Sequence, residues 1–498
     1  MRQSGMLLPI SALPSEYGIG CFSKEAYAFI DTLKECGQSL WQILPLGPTG
    51  YGDSPYQSFS TFAGNPYFID LDTLMQDGLL TKEECEAAVC EDQETIDYEK
   101  LFFTRFDILK IAYKRATERG MTDTEAFHAF VEKHKSWLPE YCMYMAVKDK
   151  NGGASWSEWD EDIRLRKPDA VARYAEELQD EIGFYQFLQY VFFDQWAALK
   201  RYANKQGIRI IGDIPIYVAF DSADTWGDTM QFQLDENNLP TAVAGCPPDG
   251  FSADGQLWGN PLYDWEYHQK SGYAWWIERI QHCMELYDII RIDHFRGFDE
   301  YYAIPYGDTT AKNGEWRKGP GMDLFRAVAQ KLGEIPIIAE DLGFLTDTVK
   351  QLLADTGYPG MKLLQFGFDS REESDYLPHS YPRNCVVYTG THDNNTIQGW
   401  YSELSDEDRQ LALDYVNNAH TPREELHWDY VCLAMRSVAD TCIIPVQDYL
   451  GLGSEARINT PSTLGGNWVF RMKKDAFDRA LIQKIRRLTE ICARTVRQ

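Results

Sequence analysis

The chain has 498 residues, 44% of them hydrophobic and 25% charged, which is typical of a globular protein with one large or several smaller domains. Its formal charge of −28 at pH 7 repels phosphate backbones and anionic lipid, so neither nucleic acid nor a membrane surface is an expected partner. A neutral substrate fits this charge better.

The cysteines and the termini of the chain carry no sign of metal binding, export or membrane insertion. The 11 cysteines form no CxxC pair and no other metal-ligand spacing, which predicts reduced thiols and no metal. The N-terminal apolar patch is too short for a signal peptide, and no run of 18 apolar residues follows. We therefore expect a cytoplasmic protein.

Eight short apolar runs predict buried parallel strands, because they lack the alternation of a half-exposed strand. In chain order these runs span residues 6–10, 40–46, 208–216, 288–295, 335–342, 361–366, 385–393 and 441–450. Amphipathic helical patterns lie between several of them, and Gly37 is expected to end the first helix. Eight strand–helix units predict an α/β fold of the (β/α)8 barrel type, with an open doubly wound sheet as the alternative.

The spacing of the predicted strands is uneven, which indicates insertions into a single catalytic barrel spanning 1–498. A helical pattern over 70–200 predicts a mostly helical insertion subdomain between the second and third strands. A shorter insertion over 220–275, after the third strand, is also expected to be mostly helical and to carry a loop of the substrate cleft. The GLGSEA segment at 451–456 follows the last strand rather than the first, so we expect no nucleotide cofactor.

Acidic residues end three of the predicted strands: Asp293, Glu340 and Asp393. Reactive groups of such barrels lie at the carboxyl ends of the strands, where we also expect Asp213, Arg291, His294 and His392. Each could be structural on its own, as when Asp293 only pairs with Arg291 or Asp393 only caps a helix. Their joint occurrence at one end favours a shared site.

Two carboxyl groups across a barrel mouth are typical of retaining glycosyl transfer. Arg291 should keep Asp293 ionised as the nucleophile. The neighbouring anion and partial burial should raise the pKa of Glu340 and leave it protonated as the acid. Asp393 and His392 are then expected to hold sugar hydroxyls.

Six long motifs carry a resemblance to a known family: GPTGYGDSPYQSFSTFAGNPYFIDL, GDIPIYVAFDSADTW, AGCPPDGFSADGQLWGNPLYDW, RIDHFRG, IAEDLG and THDNNT. Through them the chain resembles the 4-α-glucanotransferases of the amylomaltase or disproportionating-enzyme type, within the α-amylase superfamily. The resemblance implies a nucleophile at Asp293, an acid/base at Glu340 and a transition-state stabiliser at Asp393. It also implies contacts to the sugar next to the scissile bond from Asp213, Arg291, His294 and His392.

Further positions match aromatic and polar residues of the family. The resemblance implies that Trp258 and Phe366 flank the acceptor region and that Tyr56 lines the donor side. It places Tyr51 on a secondary glucan-contacting surface and Asn459 in contact with substrate. One departure lies close by, because Ser462 stands where family members carry a glycine.

The implied activity moves α-1,4-glucan segments from a donor to an acceptor malto-oligosaccharide through a covalent glycosyl-aspartate, without a cofactor. Two other functions stay open at this point. An α-glucan hydrolase would share the chemistry and differ by creating new reducing ends. A catalytically silent glucan-binding protein would keep aromatic side chains for stacking, but the three carboxylates argue against it.

Overall fold

A computed structural model of the chain describes residues 2–50, 53–91, 93–248, 252–343, 345–418, 420–463 and 465–495. Its strands, in chain order, are β1 (Gln3–Leu7), β2 (Leu40–Gln42), β3 (Arg209–Ile214), β4 (Ala242–Cys246), β5 (Gln256–Pro261), β6 (Ile289–Ile292), β7 (Glu300–Pro305), β8 (Glu315–Lys318), β9 (Ile337–Ala339), β10 (Gly360–Leu363), β11 (Cys385–Tyr388) and β12 (Thr441–Pro445).

The helices of the described ranges are α1 (Lys24–Glu35), α2 (Leu71–Gln76), α3 (Lys82–Cys85), α4 (Tyr98–Glu118), α5 (Glu125–Lys133), α6 (Leu138–Lys150), α7 (Glu161–Arg164), α8 (Pro168–Glu177), α9 (Gln179–Lys205), α10 (Ala223–Gly227), α11 (Trp265–Lys270), α12 (Ala274–Leu286), α13 (Met322–Leu332), α14 (Asp347–Thr356), α15 (Ile397–Glu403), α16 (Asp406–Val416), α17 (His427–Arg436), α18 (Val446–Leu450) and α19 (Arg479–Ile491). None of them is long and apolar enough to cross a membrane.

Eight parallel strands form the main sheet, in the order β10-β11-β12-β1-β2-β3-β6-β9. The two edge strands approach each other, because the Ala339 N–H donates a 3.0 Å hydrogen bond to the carbonyl of Pro359, just before β10. The sheet is therefore a nearly closed barrel. The predicted (β/α)8 fold is confirmed, and the open doubly wound alternative is wrong.

The barrel interior is filled by apolar side chains from all eight strands. One buried cluster takes a residue from every strand of the main sheet: Leu7, Leu40, Ile211, Ile289, Ile338, Met361, Val386 and Ile443. Side chains at the intervening positions, such as Met6, Trp41 and Ile290, belong to the larger core under the helices. Both faces of each strand are thus buried, which explains why the strands read as continuous apolar runs.

Helix α1 shows how the sequence sets the helices around the barrel. The Ser23 side chain accepts a hydrogen bond from the Glu25 N–H and starts the helix, and buried residues such as Phe29 and Leu33 recur at helical spacing. Gly37, with φ of 75°, lies just past the helix end, where the left-handed backbone favours glycine.

The long connection between β2 and β3 contains helices α2 to α9. The connection between β3 and β6 is different, because it contains the antiparallel pair β4 and β5 as well as helices. These two strands join β7 and β8 in a second sheet of order β5-β4-β7-β8. The sequence analysis did not predict this small sheet.

Two arginines close the bottom of the barrel, at the end opposite the carboxyl ends of the strands. Arg494, fully buried after α19, donates to the carbonyls of Gln3, Asp440, Met435, Ser437 and Ala439. Arg2 donates to three of the same carbonyls and to Cys492. The first barrel strand, its neighbour β12 and the last helix are therefore held together at one point.

Candidate active site

Polar side chains at the barrel mouth continue the inward-facing rows of three neighbouring strands. Ile211, Ile289 and Ile338 belong to the interior cluster. Because side chains alternate along a strand, residues two positions further on face the same way. The three rows therefore continue with the polar side chains of Asp213, Arg291, Asp293 and Glu340.

Arg291 lies between two carboxylates on the floor of this site. Its Nη1 atom is 2.7 Å from both carboxylate oxygens of Asp213 and 3.1 Å from Oδ1 of Asp293. Asp213 and Arg291 are almost fully buried, whereas the Asp293 side chain is 30% exposed. The guanidinium therefore neutralises the buried Asp213 and holds Asp293 at the surface of the cleft. Tyr56 adds a hydrogen bond of 2.9 Å from its hydroxyl to Asp213.

Glu340 faces the cleft and is held by the backbone on both sides. One oxygen accepts the N–H of His294 at 2.6 Å and the other accepts the N–H of Leu342 at 3.0 Å. Burial, followed by the negative charge of Asp293, raises the pKa of Glu340 to about 8, although both hydrogen bonds favour the charged form. The carboxyl is therefore protonated at pH 7.

His294 follows Asp293 in the left-handed backbone conformation, with φ of 52°. This conformation aims its N–H at Glu340, whose own carbonyl accepts the N–H of Phe295 at 3.1 Å. The imidazole packs edge-on against Trp258, with ring centroids 4.8 Å apart. Burial lowers the pKa of His294 to about 4, so the ring is neutral at pH 7.

Asp393 lies on the loop after β11, between its chain neighbour His392 and the distant Asn459. Its Oδ1 accepts a 2.6 Å hydrogen bond from the Asn459 side chain, and its Oδ2 lies 3.4 Å from Nε2 of His392. The His392 ring stacks on Tyr56 at 5.1 Å with an interplanar angle of 16°. Since Tyr56 also binds Asp213, this stack links Asp393 to the floor of the site.

The remaining aromatic positions lie at the rim. Trp258 is on β5, on the sheet that the sequence did not predict, and its ring contacts both Tyr217 and His294. Phe366 follows β10 and is 43% exposed. Tyr51 lies outside the described residues.

Three side chains that the sequence analysis did not single out also belong to this region. Trp468 packs against both Tyr56 and His392, in a left-handed backbone conformation with φ of 63°. Arg457 and Asp448 bind the segment that carries Asp393. The charge of Arg457 alone gave no sign of its contact with Asp393, because the two residues lie 64 positions apart in sequence.

The described ranges contain no group of three or more His, Cys, Asp or Glu side chains placed to hold a metal ion. The buried carboxylates of the site are instead bonded to Arg291, Tyr56 and backbone N–H groups. An arrangement of one protonated and one ion-paired carboxyl can perform acid–base and nucleophilic chemistry on a neutral ligand.

Comparison with known proteins gives long and consistent matches. A family model described as 4-alpha-glucanotransferase matches residues 8–476. The chain is 50% identical over 488 residues to a 4-alpha-glucanotransferase of Clostridium butyricum, which covers 97% of this chain and 99% of that protein. It is 46% identical over 477 residues to a 4-alpha-glucanotransferase of Thermus thermophilus, with 95% of each protein covered.

The fold also closely matches a solved structure of an amylomaltase from Streptococcus agalactiae in complex with acarbose. The TM-score is 0.96 with 41% sequence identity, and the match covers 100% of both chains. An amylomaltase from Corynebacterium glutamicum shares the fold with a TM-score of 0.78, covering 100% of this chain and 75% of that one at 19% identity. From the matched family model and the relatives at this identity, the chain belongs to the 4-alpha-glucanotransferase family of enzymes.

Proposed function

We propose that the enzyme transfers α-1,4-glucan segments between malto-oligosaccharides with retention of configuration, by way of a covalent glycosyl-aspartate on Asp293. The observation that carries this proposal is the pairing of two carboxyl groups with different surroundings at one barrel mouth. Asp293 is ion-paired with Arg291, and Glu340 has its pKa raised to about 8. Retaining transfer needs one group of each kind.

The first half of the reaction breaks the donor. A carboxylate oxygen of Asp293 attacks the anomeric carbon, the bond from that carbon to the bridging oxygen breaks, and the proton of Glu340 goes to that oxygen. The reducing-end fragment leaves with the proton, and the non-reducing fragment stays as an ester on Asp293. Asp393 lies beside His392 and is placed to stabilise the positive charge that develops on the sugar ring.

The second half reverses these steps with a new sugar. Glu340, now a carboxylate, takes the proton of the acceptor's 4-hydroxyl while the acceptor oxygen attacks the anomeric carbon. The ester bond breaks, Asp293 is released, and Glu340 is protonated for the next cycle. Two inversions at the same carbon retain its configuration.

Several features support a glucan as the ligand. The Nε2 atom of His294 and the Nδ1 atom of His392 are buried without a hydrogen-bond partner in the described part of the chain, which suits sugar hydroxyls. Trp258 and Phe366 offer aromatic faces at the rim, suited to stacking on sugar rings. The relative from Streptococcus agalactiae was solved with acarbose.

We also propose that residues 245–248 and 252–259 overhang the acceptor side and that the described part of the 70–200 insertion is a subdomain beside the barrel. All 11 cysteines are free thiols, which supports a cytoplasmic location for the enzyme.

Incubation with maltotriose tests the proposed activity. We expect a ladder of longer and shorter oligosaccharides at a constant number of reducing ends. Asp293→Asn should abolish the ladder, because the amide cannot form the ester. A rising number of reducing ends would instead identify a hydrolase, and an unchanged ladder with Asp293→Asn would contradict the role of this residue.

A further inference from the structure

A buried carboxylate behind the site takes no part in the proposed reaction steps. Asp448, on α18 just after β12, is 2% exposed. Its Oδ1 accepts the N–H of Ile397 at 2.8 Å, and its Oδ2 accepts the hydroxyl of Thr389 at 2.5 Å. Residues 389 and 397 are the two ends of the segment that contains His392 and Asp393. One side chain therefore fixes where this segment leaves β11 and where it enters α15.

Arg457 holds the middle of the same segment. Its Nη2 atom donates to the carbonyl of Asp393 at 2.7 Å, and its Nε atom donates to the carbonyl of Asn459 at 2.8 Å. Asn459 in turn donates its backbone N–H to the carbonyl of His392 at 3.0 Å and its side-chain amide to Asp393. The Arg457 guanidinium thus links the backbone of Asp393 to that of Asn459, and these two residues also bind each other directly.

The contacts of Asp448 and Arg457 address a physical difficulty of the site. Asp393 lies past the end of β11, on a connecting segment whose backbone is outside the ladder of the barrel, and its side chain is 43% exposed. A group that acts on a reacting sugar must be held to within about 0.5 Å by its surroundings. Burying Asp448 is costly, and burial raises its pKa to about 6 against the effect of its two hydrogen bonds. A leucine-sized apolar residue would fill the space without this cost but could not bind both ends of the segment.

We propose that Asp448 and Arg457 are positioning residues that set the place of the Asp393 carboxylate through its backbone. The inference rests on the proposed function, because these residues position a group that stabilises the transition state of that proposed reaction. Neither residue needs to touch the sugar. Their loss should affect the rate of the chemical step more than the binding of the donor.

Steady-state kinetics of maltotriose disproportionation test the proposal. Arg457→Met and Asp448→Ala should each lower kcat about 10- to 100-fold, the range for residues that orient active-site groups, with KM changed less than about threefold. Asp448→Asn should keep most of the activity, since its oxygen can accept the Ile397 N–H while its amide donates to the Thr389 hydroxyl. Arg423→Met is the control, because Arg423 binds α15 through Gln398 and makes no contact assigned to Asp393.

A double-mutant comparison separates positioning from general support of the fold. In an Asp393→Ala background, measured with α-maltosyl fluoride as a donor whose leaving group needs no proton, Arg457→Met should cost less than about threefold. An equal loss with and without Asp393 would overturn the proposal. So would a variant that raises KM at unchanged kcat, or a loss with Arg423→Met as large as that with Arg457→Met.

If Asp448→Ala does not fold, as circular dichroism would reveal, Arg457→Met decides the question, because Arg457 is only partly buried. A failed inference remains distinguishable from a failed function. The function fails if the unaltered enzyme produces no ladder from maltotriose. The inference fails if that ladder forms and Arg457→Met keeps the unaltered kcat.

Discussion

At the scale of single residues, the site gives two carboxyl groups different surroundings. Asp293 pairs with the guanidinium of Arg291. Glu340 accepts hydrogen bonds from the backbone N–H groups of His294 and Leu342. Burial and the charge of Asp293 then raise the pKa of Glu340 from 4.5 to about 8. The proton that the proposed mechanism gives to the leaving sugar is therefore present on Glu340 at neutral pH.

This pKa predicts how the reaction depends on pH. The acid form of Glu340 is complete well below pH 8 and is lost above it, so kcat/KM for maltotriose should fall about tenfold per pH unit beyond that point. With α-maltosyl fluoride as donor the fall should be absent or much weaker, because fluoride leaves without protonation. Rate profiles between pH 5 and 10 with both donors check the prediction, and parallel profiles would contradict it.

The residues of the site differ in how far the sequence could identify them. Asp293 and Glu340 were predicted because each ends an apolar strand, and the structure brings both to the barrel mouth with Arg291. Asp448 and Arg457 were not predicted. Their partners Thr389 and Asp393 lie 59 and 64 positions away in sequence, and no local pattern encodes such a pairing.

At the scale of elements, the turn beyond α18 holds a serine in a backbone conformation that favours glycine. Ser462 has φ of 62°, in the left-handed region where a side chain is strained. That conformation costs about 1–2 kcal/mol for a residue with a Cβ atom. Glycine would avoid this strain but lose about 0.5–1 kcal/mol more backbone entropy on folding.

The difference predicts that Ser462→Gly raises the free energy of unfolding by about 0.5–1 kcal/mol. Ser462→Ala is the matched control, since it keeps the Cβ atom and should bring no such gain. Denaturant titration of the three proteins measures the effect. A gain of the same size with alanine would show that the backbone conformation is not its cause.

The antiparallel sheet brings Trp258 next to His294, with ring centroids 4.8 Å apart. Transfer can compete with water only if the acceptor is positioned well, and positioning can supply effective molarities of about 10⁵ M or more. Trp258→Ala should therefore raise the ratio of hydrolysis to disproportionation products from maltotriose. Trp316→Ala, on β8 of the same sheet, is the control and should leave the ratio unchanged. An unchanged ratio with Trp258→Ala would count against this role.

The sequence predicted the barrel strands far better than this second sheet, for a physical reason. Every barrel strand is buried on both faces and so forms an apolar run. Strands β5 and β8 contain exposed and polar residues, as in the EWRK of β8, and the two halves of their sheet are joined across β6 by the pairing of β4 with β7. Short strands of this kind look like loops until their partners are known.

At the scale of the whole molecule, we expect that replacing Arg494 lowers the stability of the enzyme without changing its KM. Methionine at this position would remove five buried hydrogen bonds of a charged donor, which should lower the free energy of unfolding by about 3 kcal/mol or more, although Arg2 still binds three of the five carbonyls. KM for maltotriose should not change, because Arg494 lies at the opposite end of the barrel. Thermal or denaturant unfolding and steady-state kinetics measure the two effects.

Arg487→Met is the matched control on α19, since the Arg487 side chain is 74% exposed and contacts only Glu490 among its assigned ion pairs. It should change stability by less than about 0.5 kcal/mol. A similar loss from both variants would show that the helix, and not the buried guanidinium, holds the bottom of the barrel.

Because β1 pairs with β12, the barrel of a newly synthesised chain cannot close until β12 has been made. Translation delivers Gln3–Leu7 before the other barrel strands, yet this strand stays unpaired along one edge until Thr441–Pro445 has left the ribosome. Arg457, which donates a hydrogen bond to the carbonyl of Asp393, leaves the ribosome later still. A nascent chain therefore carries open strand edges that invite association with its neighbours for nearly its entire synthesis.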